Sequence, residues 1–319
     1  MHGDIMVISA RRLFLDQEFR NRLLTQPQYL DDIEEGFFSS LWLPCGISKM
    51  TWSRRLDDVN AAIRTTSQKI GRSPQHCLDI GVSSGVSTQE WLEDLHSNGF
   101  LCSVVASDLT FRAYLVRINR QLYVLVDQDA QPLQYEILGI TLRAWCRRRY
   151  YLFGHFITLW VLRAAFRAYA RKMGVAGRIA HWDNFRIFPA GSPVIYPVRL
   201  VSHRAEALTL VDDAPLFGDV QSLRGRFDVI RVANVMNRIS FSEPELRLMA
   251  RNLRARLVPA GGLIVQGRTN GRGVNDFSIF ELDGAGRAGV VHRVGLGSEI
   301  ESLILLALDG GIMDTYARN

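Results

Sequence analysis

The chain has 319 residues, of which 47% are hydrophobic and 22% charged, and its formal net charge is +6. This is an ordinary globular composition. It excludes a chain too poor in apolar residues to bury a core, and leaves room for one large domain with an insertion or for two small ones. Arginine greatly outnumbers lysine, which occurs only at positions 49, 69 and 172, and this imbalance fits genome composition as well as it fits phosphate binding.

The N-terminal segment and the cysteines bear on the compartment. Residues 1–16 lack a basic stretch followed by a sustained apolar one, so no secretory signal is expected and the cytoplasm is the default compartment. The cysteines are scattered without the spacing of metal ligands, so we expect reduced thiols and no metal site. They are Cys45, Cys77, Cys102 and Cys146.

Residues 1–75 are predicted to form a mostly helical N-terminal cap. Its last helix, from about Ser53 to Ile70, has an apolar face and ends at Gly71. Such a cap packs on the sheet of an α/β domain. The alternative is part of a lid over a ligand, because three aromatic side chains could stack on one. These are Phe37, Trp42 and Trp52.

The rest of the chain is organised around CLDIGVSSGVST, from Cys77 to Thr88. Leu78–Ile80 is typical of the carboxyl end of a buried parallel strand, and a tight turn of small residues follows it. The next helix sets Trp91 and Leu95 on one face. Strand, turn and helix make the first half of a nucleotide-binding βαβ unit, where small residues let a ligand approach backbone N–H groups at a helix N-terminus.

The second half of this unit is the apolar strand Cys102–Asp108, which ends in an acid. Asp108 lies 23 residues after Gly85. That is close to the spacing of about 20 residues at which an acidic side chain binds ribose hydroxyls in such folds.

Residues 111–199 are predicted to be an insertion. Leu122–Val126 and Leu133–Ile140, joined by a polar turn, predict a β-hairpin. An apolar stretch of 13 residues, Tyr150–Leu162, follows. It is shorter than the roughly 20 residues that a bilayer-spanning helix needs.

Basic residues flank this apolar stretch. If this stretch forms a helix, it can pack on the domain's own surface or in a homodimer interface, with arginine stems over apolar neighbours. Alternatively, the helix lies on an anionic membrane or receives an apolar substrate. The sequence leaves these interpretations open. The basic residues are Arg147–Arg149, Arg163, Arg167, Arg171 and Lys172.

After the insertion the chain returns to an α/β pattern. Two predicted strands each lead into a polar exit segment, and a helix, a strand and a hairpin complete the sheet. The elements are a strand at Leu208–Val211 with Asp212, Asp213 and Ala214 after it, a strand at Phe227–Val232 with the exit loop Ala233–Asn237, a helix at Glu243–Leu257, a strand at Leu263–Gln266 and a hairpin over residues 277–294.

Several of these residues resemble a known family. The turn and its flanks resemble the first motif of class I S-adenosylmethionine-dependent methyltransferases, an acid-x-Gly-x-Gly-x-Gly pattern, with Ser83 where that family usually has its middle glycine. The motif residues are Asp79, Gly81, Gly85 and Thr88. The segment Phe227–Met236 and the elements after it locally resemble the chemotaxis receptor methyltransferases. The resemblance covers residues 76–110 and 205–297, about half of the chain.

The resemblance implies S-adenosylmethionine as cofactor. It implies that the glycine turn cradles the methionine part, that Asp108 grips the ribose, and that Asp213, preferred to Asp212, binds the adenine amine. The predicted set is Asp79, Gly81, Ser83, Gly85, Asp108, Leu109, Asp213, Ala214 and Asn234. No catalytic residue is predicted, because the sulfonium carries its own activation and the protein chiefly aligns donor and acceptor.

Other classes of function stay open. GVSSG at Gly81–Gly85 also matches the nucleophile elbow of α/β-hydrolases, with Ser83 as nucleophile, although few strands precede it and no glycine-rich oxyanion segment is visible upstream. A second alternative keeps the fold without the chemistry, as a cofactor-binding or membrane-peripheral module. Nicotinamide binding is a third, lesser possibility.

The sequence therefore predicts an α/β protein with a Rossmann-like, mostly parallel, seven-stranded sheet. Its expected parts are the cap at 1–75, a methyltransferase core at 76–110 and 200–319, and the hairpin-plus-helix insertion at 111–199. The expected activity is methyl transfer to a small-molecule or lipid-like acceptor, without a metal. Peripheral membrane contact through residues 147–172 is a further expectation, and no nucleic acid is indicated.

Overall fold

The computed structural model describes residues 8–42, 49, 52–109, 111–145, 153–181, 192–212 and 221–309. The chain divides into two compact units, each built from two segments. We call Trp52–Leu109 with His203–Asn319 the core unit, and Met1–Thr51 with Thr110–Ser202 the accessory unit.

The described residues form strands and helices in both units. The strands are β1 (His76–Ile80), β2 (Ser103–Asp108), β3 (Arg112–Arg117), β4 (Leu122–Val126), β5 (Pro132–Ile137), β6 (Ile140–Arg143), β7 (Val194–Arg199), β8 (Thr209–Asp212), β9 (Val229–Ala233), β10 (Gly262–Thr269), β11 (Asn275–Leu282) and β12 (Ala288–Val294). The helices are α1 (Ala10–Phe14), α2 (Gln17–Leu24), α3 (Pro27–Ser40), α4 (Asp57–Lys69), α5 (Val86–Ser97), α6 (Phe153–Lys172), α7 (Val175–Ala180), α8 (Glu243–Arg256) and α9 (Glu301–Asp309).

The core unit is built on a seven-stranded sheet in the order β12-β11-β10-β9-β1-β2-β8. Neighbouring strands from β8 to β10 are parallel, and β11 runs antiparallel to both of its neighbours. Counted along this unit, the first six strands follow the doubly wound order 3-2-1-4-5-6. The predicted Rossmann-like, mostly parallel, seven-stranded sheet is therefore confirmed.

Helices cover both faces of the core sheet. Because side chains alternate along a strand, Leu78 and Ile80 of β1 pack with α8 and α9 on one face, whereas Cys77 packs with α4 and α5 on the other. Burial on both faces explains why the central strands are nearly continuous apolar runs in the sequence.

The accessory unit contains an antiparallel sheet in the order β6-β5-β4-β3-β7. The predicted hairpin is present as the β4–β5 pair, but three further strands extend it. One face of this sheet packs against α1, α2 and α3, and the other against α6 and α7. The helices of residues 1–75, predicted as one cap, are thus divided between the two units, since α4 belongs to the core unit.

Helix α6 begins within the predicted apolar stretch and extends past it to Lys172. Leu162, Phe166 and Tyr169 pack with the antiparallel sheet, and the Phe166 ring meets Tyr135 edge-on at 6.5 Å between centroids. Among the helices within the described residues, none has both the length and the apolar character needed to cross a bilayer.

Candidate functional site

The carboxyl ends of β1, β2 and β9 meet at one edge of the core sheet. The chain leaves β1 for β2 on one side and later returns to β9 on the other side, so the strand order reverses here. Open α/β sheets bind ligands in the crevice outside the strand ends at such a point. The predicted turn Gly81–Gly85 lies at this position, between β1 and α5.

The turn is bound directly to the end of β2. The backbone N–H groups of Gly81 and Val82 donate to the Ser107 carbonyl at 2.8 and 3.3 Å. The N–H of Ser83 donates to the Asp108 carboxylate at 2.7 Å. The structure therefore brings Gly81, Ser83 and Asp108 together, as the sequence predicted for a shared site.

Three residues of the turn have left-handed backbone conformations. Gly81, Ser83 and Gly85 have φ values of +76°, +60° and +84°. Glycine adopts such angles without strain, whereas a serine there costs about 1 to 3 kcal/mol. Ser83 occupies the position of the missing middle glycine and retains a glycine-like backbone, so the substitution preserves the shape of the turn.

The exit loop of β9 approaches the turn closely at Gly81. A Cβ atom on Gly81 would overlap the Cγ2 atom of Val235. The backbone of Asn234 is also left-handed, with φ +63°. A residue without a side chain at position 81 is therefore required for these two segments to pass each other.

Buried hydroxyl groups without partners surround the turn. The Oγ atoms of four serines have no hydrogen bond within the part of the chain that the structure describes. These are Ser83, Ser84, Ser87 and Ser107. An unsatisfied buried hydroxyl costs about 1 to 3 kcal/mol, and native structures keep few of them. Four together at one strand edge indicate a place for a polar ligand.

Asn234 adds an amide to the same edge. Its N–H donates to the Gly267 carbonyl at 2.9 Å, and its Oδ1 accepts from the N–H of Thr269 at 2.7 Å. Its Nδ2 group is buried and makes no hydrogen bond to any described residue. The side chain is thus held by its oxygen and retains two donors for a ligand.

Below the turn lies a buried ion pair between β1 and β9. Asp79 and Arg231 are direct partners in the strand register. Arg231 Nε and Nη2 donate to the two Asp79 oxygens at 3.0 and 2.5 Å, and the Arg231 side chain is wholly buried. Thr88 Oγ1 donates to the same carboxylate at 2.6 Å.

Two further hydrogen bonds hold the Arg231 guanidinium. Nη1 donates to the Oδ1 of Asn60 at 2.6 Å, and Nη2 to the Ser87 carbonyl at 2.9 Å. The guanidinium lies 4.4 Å from the centre of the Trp91 ring. The network therefore ties α4 and the first turn of α5 to the central strands. Asp79 supports the turn from below, and its direct contact with a cofactor stays a prediction.

A second arginine, the half-buried Arg55, lies near this network. Burial, and then the positive charge of Arg231, lower the pKa of Arg55 to about 10. The Arg55 guanidinium lies 5.3 Å from the Trp52 ring centre. Burial also raises the pKa of Glu90, which accepts the N–H of Arg54. Trp52, Arg54 and Arg55 belong to the segment before α4, where the sequence placed a lid as an alternative, whereas Glu90 belongs to α5.

The remaining predicted residues are distributed as follows. Leu109 is half-buried directly after Asp108, and Asp212 is the strand partner of Asp108 across β2 and β8. Asp213 and Ala214 lie outside the described residues. Phe37, named as a stacking residue of a lid, is instead fully buried between Phe14 and Phe38 in the accessory unit.

Sequence reasoning missed Arg231 and its pairing with Asp79. The available signal was a charge inside an apolar strand, since FDVIRVA places Arg231 among residues that are buried on both faces. A buried charge requires an opposite charge nearby. Asp79 interrupts the apolar run of β1 in the same way, and pairing the two would have predicted the contact.

The hydrolase alternative finds no support at Ser83. A serine nucleophile needs a general base within hydrogen-bond reach. The Ser83 hydroxyl has no hydrogen-bond partner among the described residues. In the same residues, no group of three or more His, Cys, Asp and Glu side chains that could hold a metal comes together.

Comparison with known proteins gives matches in solved structures only. No protein-family model matches the chain, and no curated protein matches it. The chain is similar to the N-methyltransferase NodS from Bradyrhizobium japonicum WM9, solved with S-adenosyl-L-homocysteine, at 13% identity and a TM-score of 0.29. The match covers 67% of this chain and 62% of NodS, less than two thirds of that protein.

Two further solved structures are similar at the same level. The sugar N-methyltransferase KedS8 from Streptoalloteichus sp ATCC 53650 is 11% identical with a TM-score of 0.30, covering 80% of this chain and 76% of KedS8. The citrinin polyketide synthase CMeT domain is 12% identical with a TM-score of 0.30, and the match covers 81% of this chain and 41% of that one. By its sheet order and its strand–turn–helix edge, the core unit has the Rossmann-like α/β fold that the resemblance to class I methyltransferases implied.

Proposed function

We propose that the core unit binds S-adenosylmethionine at the edge where β1, β2 and β9 end, and transfers its methyl group to a small-molecule or lipid-like acceptor. The observation that carries this proposal is the direct bond between the turn and Asp108, with four unpartnered serine hydroxyls around it. A cofactor with ribose hydroxyls and an amino-acid part has polar groups for each of these partners.

The residues of the site fit this cofactor. Asp108 is 8% exposed and its carboxylate is held beside the turn by the Ser83 N–H, which positions it to accept from ribose hydroxyls. Gly85 is the N-cap of α5, and the N-terminus of this helix favours an anionic group such as a carboxylate. Asn234 offers its free Nδ2 donors from the neighbouring strand.

The work left to the protein is positioning. The bound sulfonium supplies an activated methyl group, so an acceptor atom has to be held in line with it and water excluded. The Arg231–Asp79 pair keeps the turn and α5 in register with β9.

The proposal is tested by calorimetric titration of the full chain with S-adenosylmethionine. Asp108→Ala removes a charge-assisted hydrogen bond whose loss costs about 1.5 to 3 kcal/mol, so affinity is expected to fall tenfold or more. Glu281→Ala, a partly exposed carboxylate of β11, is the matched control and should bind normally. Equal binding by a folded Asp108→Ala protein would show that the site is assigned wrongly.

Two further measurements separate the alternatives. Titration with NAD tests nicotinamide binding, and transfer of a labelled methyl group to a metabolite extract tests whether binding leads to chemistry. Ser83→Ala removes one of the four serine hydroxyls, so cofactor binding should weaken only by about 0.5 to 1.5 kcal/mol, the contribution of a single neutral hydrogen bond, and methyl transfer should persist because the hydroxyl has no base beside it. Binding without any transfer would favour the non-catalytic module.

A further inference from the structure

Helix α6 has two faces of different character. Leu159, Phe166 and their neighbours on one side are buried in the accessory unit. The opposite side is exposed along the described part of the helix. It consists of Ile157, Trp160, Val161, Ala164, Ala165, Arg167, Ala168, Arg171 and Lys172. We call these residues the exposed face of α6.

This face changes from apolar to basic along its length. Ile157, Trp160 and Val161 are 48%, 62% and 50% exposed. One to three turns later the same face carries Arg167, Arg171 and Lys172. Phe153–Lys172 contains no acidic residue. The face therefore pairs a large exposed apolar surface with an uncompensated positive charge.

The basic part adjoins a depression in the protein surface. Arg167 and Arg171 line a cavity of about 400 Å³ between α6, α7 and the β4–β5 turn. Within the described ranges neither arginine forms an ion pair, although the exposed Asp129 carboxylate lines the same cavity. Two guanidinium groups one turn apart are thus available to phosphate oxygens.

The chemistry of the face discriminates between partners. A second copy paired in parallel through the same face would place arginines against arginines, and an antiparallel copy would place them against the apolar end, because the helix has no acid to meet them. A nucleic acid would match the charge but leave the exposed Trp160 and its apolar neighbours unmatched. An anionic bilayer matches both parts, since apolar and aromatic residues enter the headgroup boundary and arginines bind lipid phosphates.

We propose that the exposed face of α6 lies flat on an anionic lipid bilayer, with Ile157, Trp160 and Val161 in the headgroup boundary and Arg167, Arg171 and Lys172 on lipid phosphates. The helix is peripheral and does not cross the membrane. The proposal does not depend on the proposed methyltransferase activity, because it concerns a different unit of the chain.

Sedimentation of the full chain with vesicles tests this proposal. Phosphatidylcholine vesicles with phosphatidylserine should carry the protein down at low salt, and vesicles of phosphatidylcholine alone should not. Arg167→Gln with Arg171→Gln should weaken partitioning about 30-fold, since each basic residue near the surface contributes about fivefold. Trp160→Ser should weaken it as well, through loss of apolar contact.

Matched variants and a local readout make the test specific. Arg120→Gln with Arg143→Gln removes two exposed arginines elsewhere in the accessory unit and should leave binding unchanged. Leu101→Ser removes an exposed apolar residue of the core unit and should also leave vesicle binding unchanged. Hydrogen exchange should slow within residues 157–172 when anionic vesicles are added. Circular dichroism verifies that each variant is folded.

Other outcomes overturn the proposal. Equal, negligible sedimentation with both vesicle types would overturn it. So would a protein that binds no vesicles but forms a concentration-dependent dimer that Trp160→Ser abolishes. Vesicle binding that the arginine variants leave intact would place the contact elsewhere. Cofactor titration of the same variants is a separate measurement, so failure here leaves the proposed function untouched.

Discussion

At the scale of single residues, the central feature is a charged pair inside the sheet. Arg231 and Asp79 lie side by side on the two central strands and are almost completely removed from water. Desolvating two charges is costly, and the cost is recovered only when each donor and acceptor has a partner. Here all three guanidinium nitrogens of Arg231 donate hydrogen bonds, so the pair supports the turn above it.

Breaking this pair from one side should destabilise the protein strongly. Arg231→Met leaves a buried carboxylate without its partner, and we expect a loss of about 3 to 5 kcal/mol in the free energy of unfolding. The loss is measured by urea denaturation. Arg247→Met, which breaks a surface pair with Glu243, is the control and should cost about 1 kcal/mol or less.

The double variant Arg231→Met with Asp79→Leu distinguishes a pair from two separate effects. Because both charges are then removed, stability should recover part of the loss seen in Arg231→Met alone. If the double variant loses as much free energy of unfolding as Arg231→Met and Asp79→Leu lose together, the role assigned to the pair is contradicted.

A pair of thiols at the other end of β1 gives a prediction about pH. Hydrogen bonding with Cys77, and then the proximity of His96, lower the pKa of Cys102 to about 7, whereas that of Cys77 is raised well above its usual value. Since the thiolate is the nucleophile, Cys102 should react with iodoacetamide with a midpoint near pH 7 and Cys77 should react slowly.

Peptide mapping by mass spectrometry measures the two rates separately. Cys77→Ala removes the hydrogen bond, so the midpoint for Cys102 should rise toward the ordinary value for a thiol. An unchanged midpoint in this variant would show that the neighbouring thiol does not set the reactivity of Cys102.

At the scale of elements, the site depends on two loops that cross closely. The turn after β1 and the exit loop of β9 pass each other where Gly81 meets Val235. Neither loop alone defines the crevice, because its shape is set by their separation.

Gly81→Ala should therefore cost more than its backbone angle alone accounts for. The left-handed angle costs about 1 kcal/mol and the overlap with Val235 about 1 to 3 kcal/mol more. Gly99→Ala, at φ +82° with open space around it, measures the angle effect by itself. Thermal or urea unfolding of both variants gives the difference.

A second substitution tests the cause of this difference. Val235→Ala removes the atom that overlaps, so the double variant Gly81→Ala with Val235→Ala should return to about the cost of Gly99→Ala. If the double variant is as unstable as Gly81→Ala, the close approach is not the reason for glycine at this position.

At the scale of the whole molecule, the two proposed binding surfaces lie in different units. The core unit holds the proposed cofactor site, and the accessory unit carries the exposed face of α6. Each unit has its own sheet and its own buried core. A ligand of one unit is therefore expected to protect that unit first.

Hydrogen exchange with and without S-adenosylmethionine measures this division. Protection should appear at residues 81–89, 107–109 and 234–236, where the proposed ligand contacts backbone and side chains. The antiparallel strands of residues 112–143 serve as the internal reference and should be unaffected. Protection confined to the antiparallel sheet would move the cofactor site away from the core unit.

The sequence by itself determined the parts of the core that local patterns encode. Over residues 77–108 the order of strand, glycine turn, helix and strand was predictable. The spacing of apolar residues, the turn residues and the acids at strand ends are all local signals. The hairpin of β4 and β5 was predictable for the same reason. These signals also placed Gly81, Ser83, Asp108 and Asn234 at strand ends.

Only the tertiary structure decided which distant residues meet. The pairing of β3 with β7 joins residues about 80 positions apart, and the Arg231–Asp79 bond spans 152 positions. The division of the N-terminal helices between two units depends on which sheet offers each helix a matching apolar face. Such choices are made by packing in three dimensions, so one face of α6 became core and the other stayed exposed.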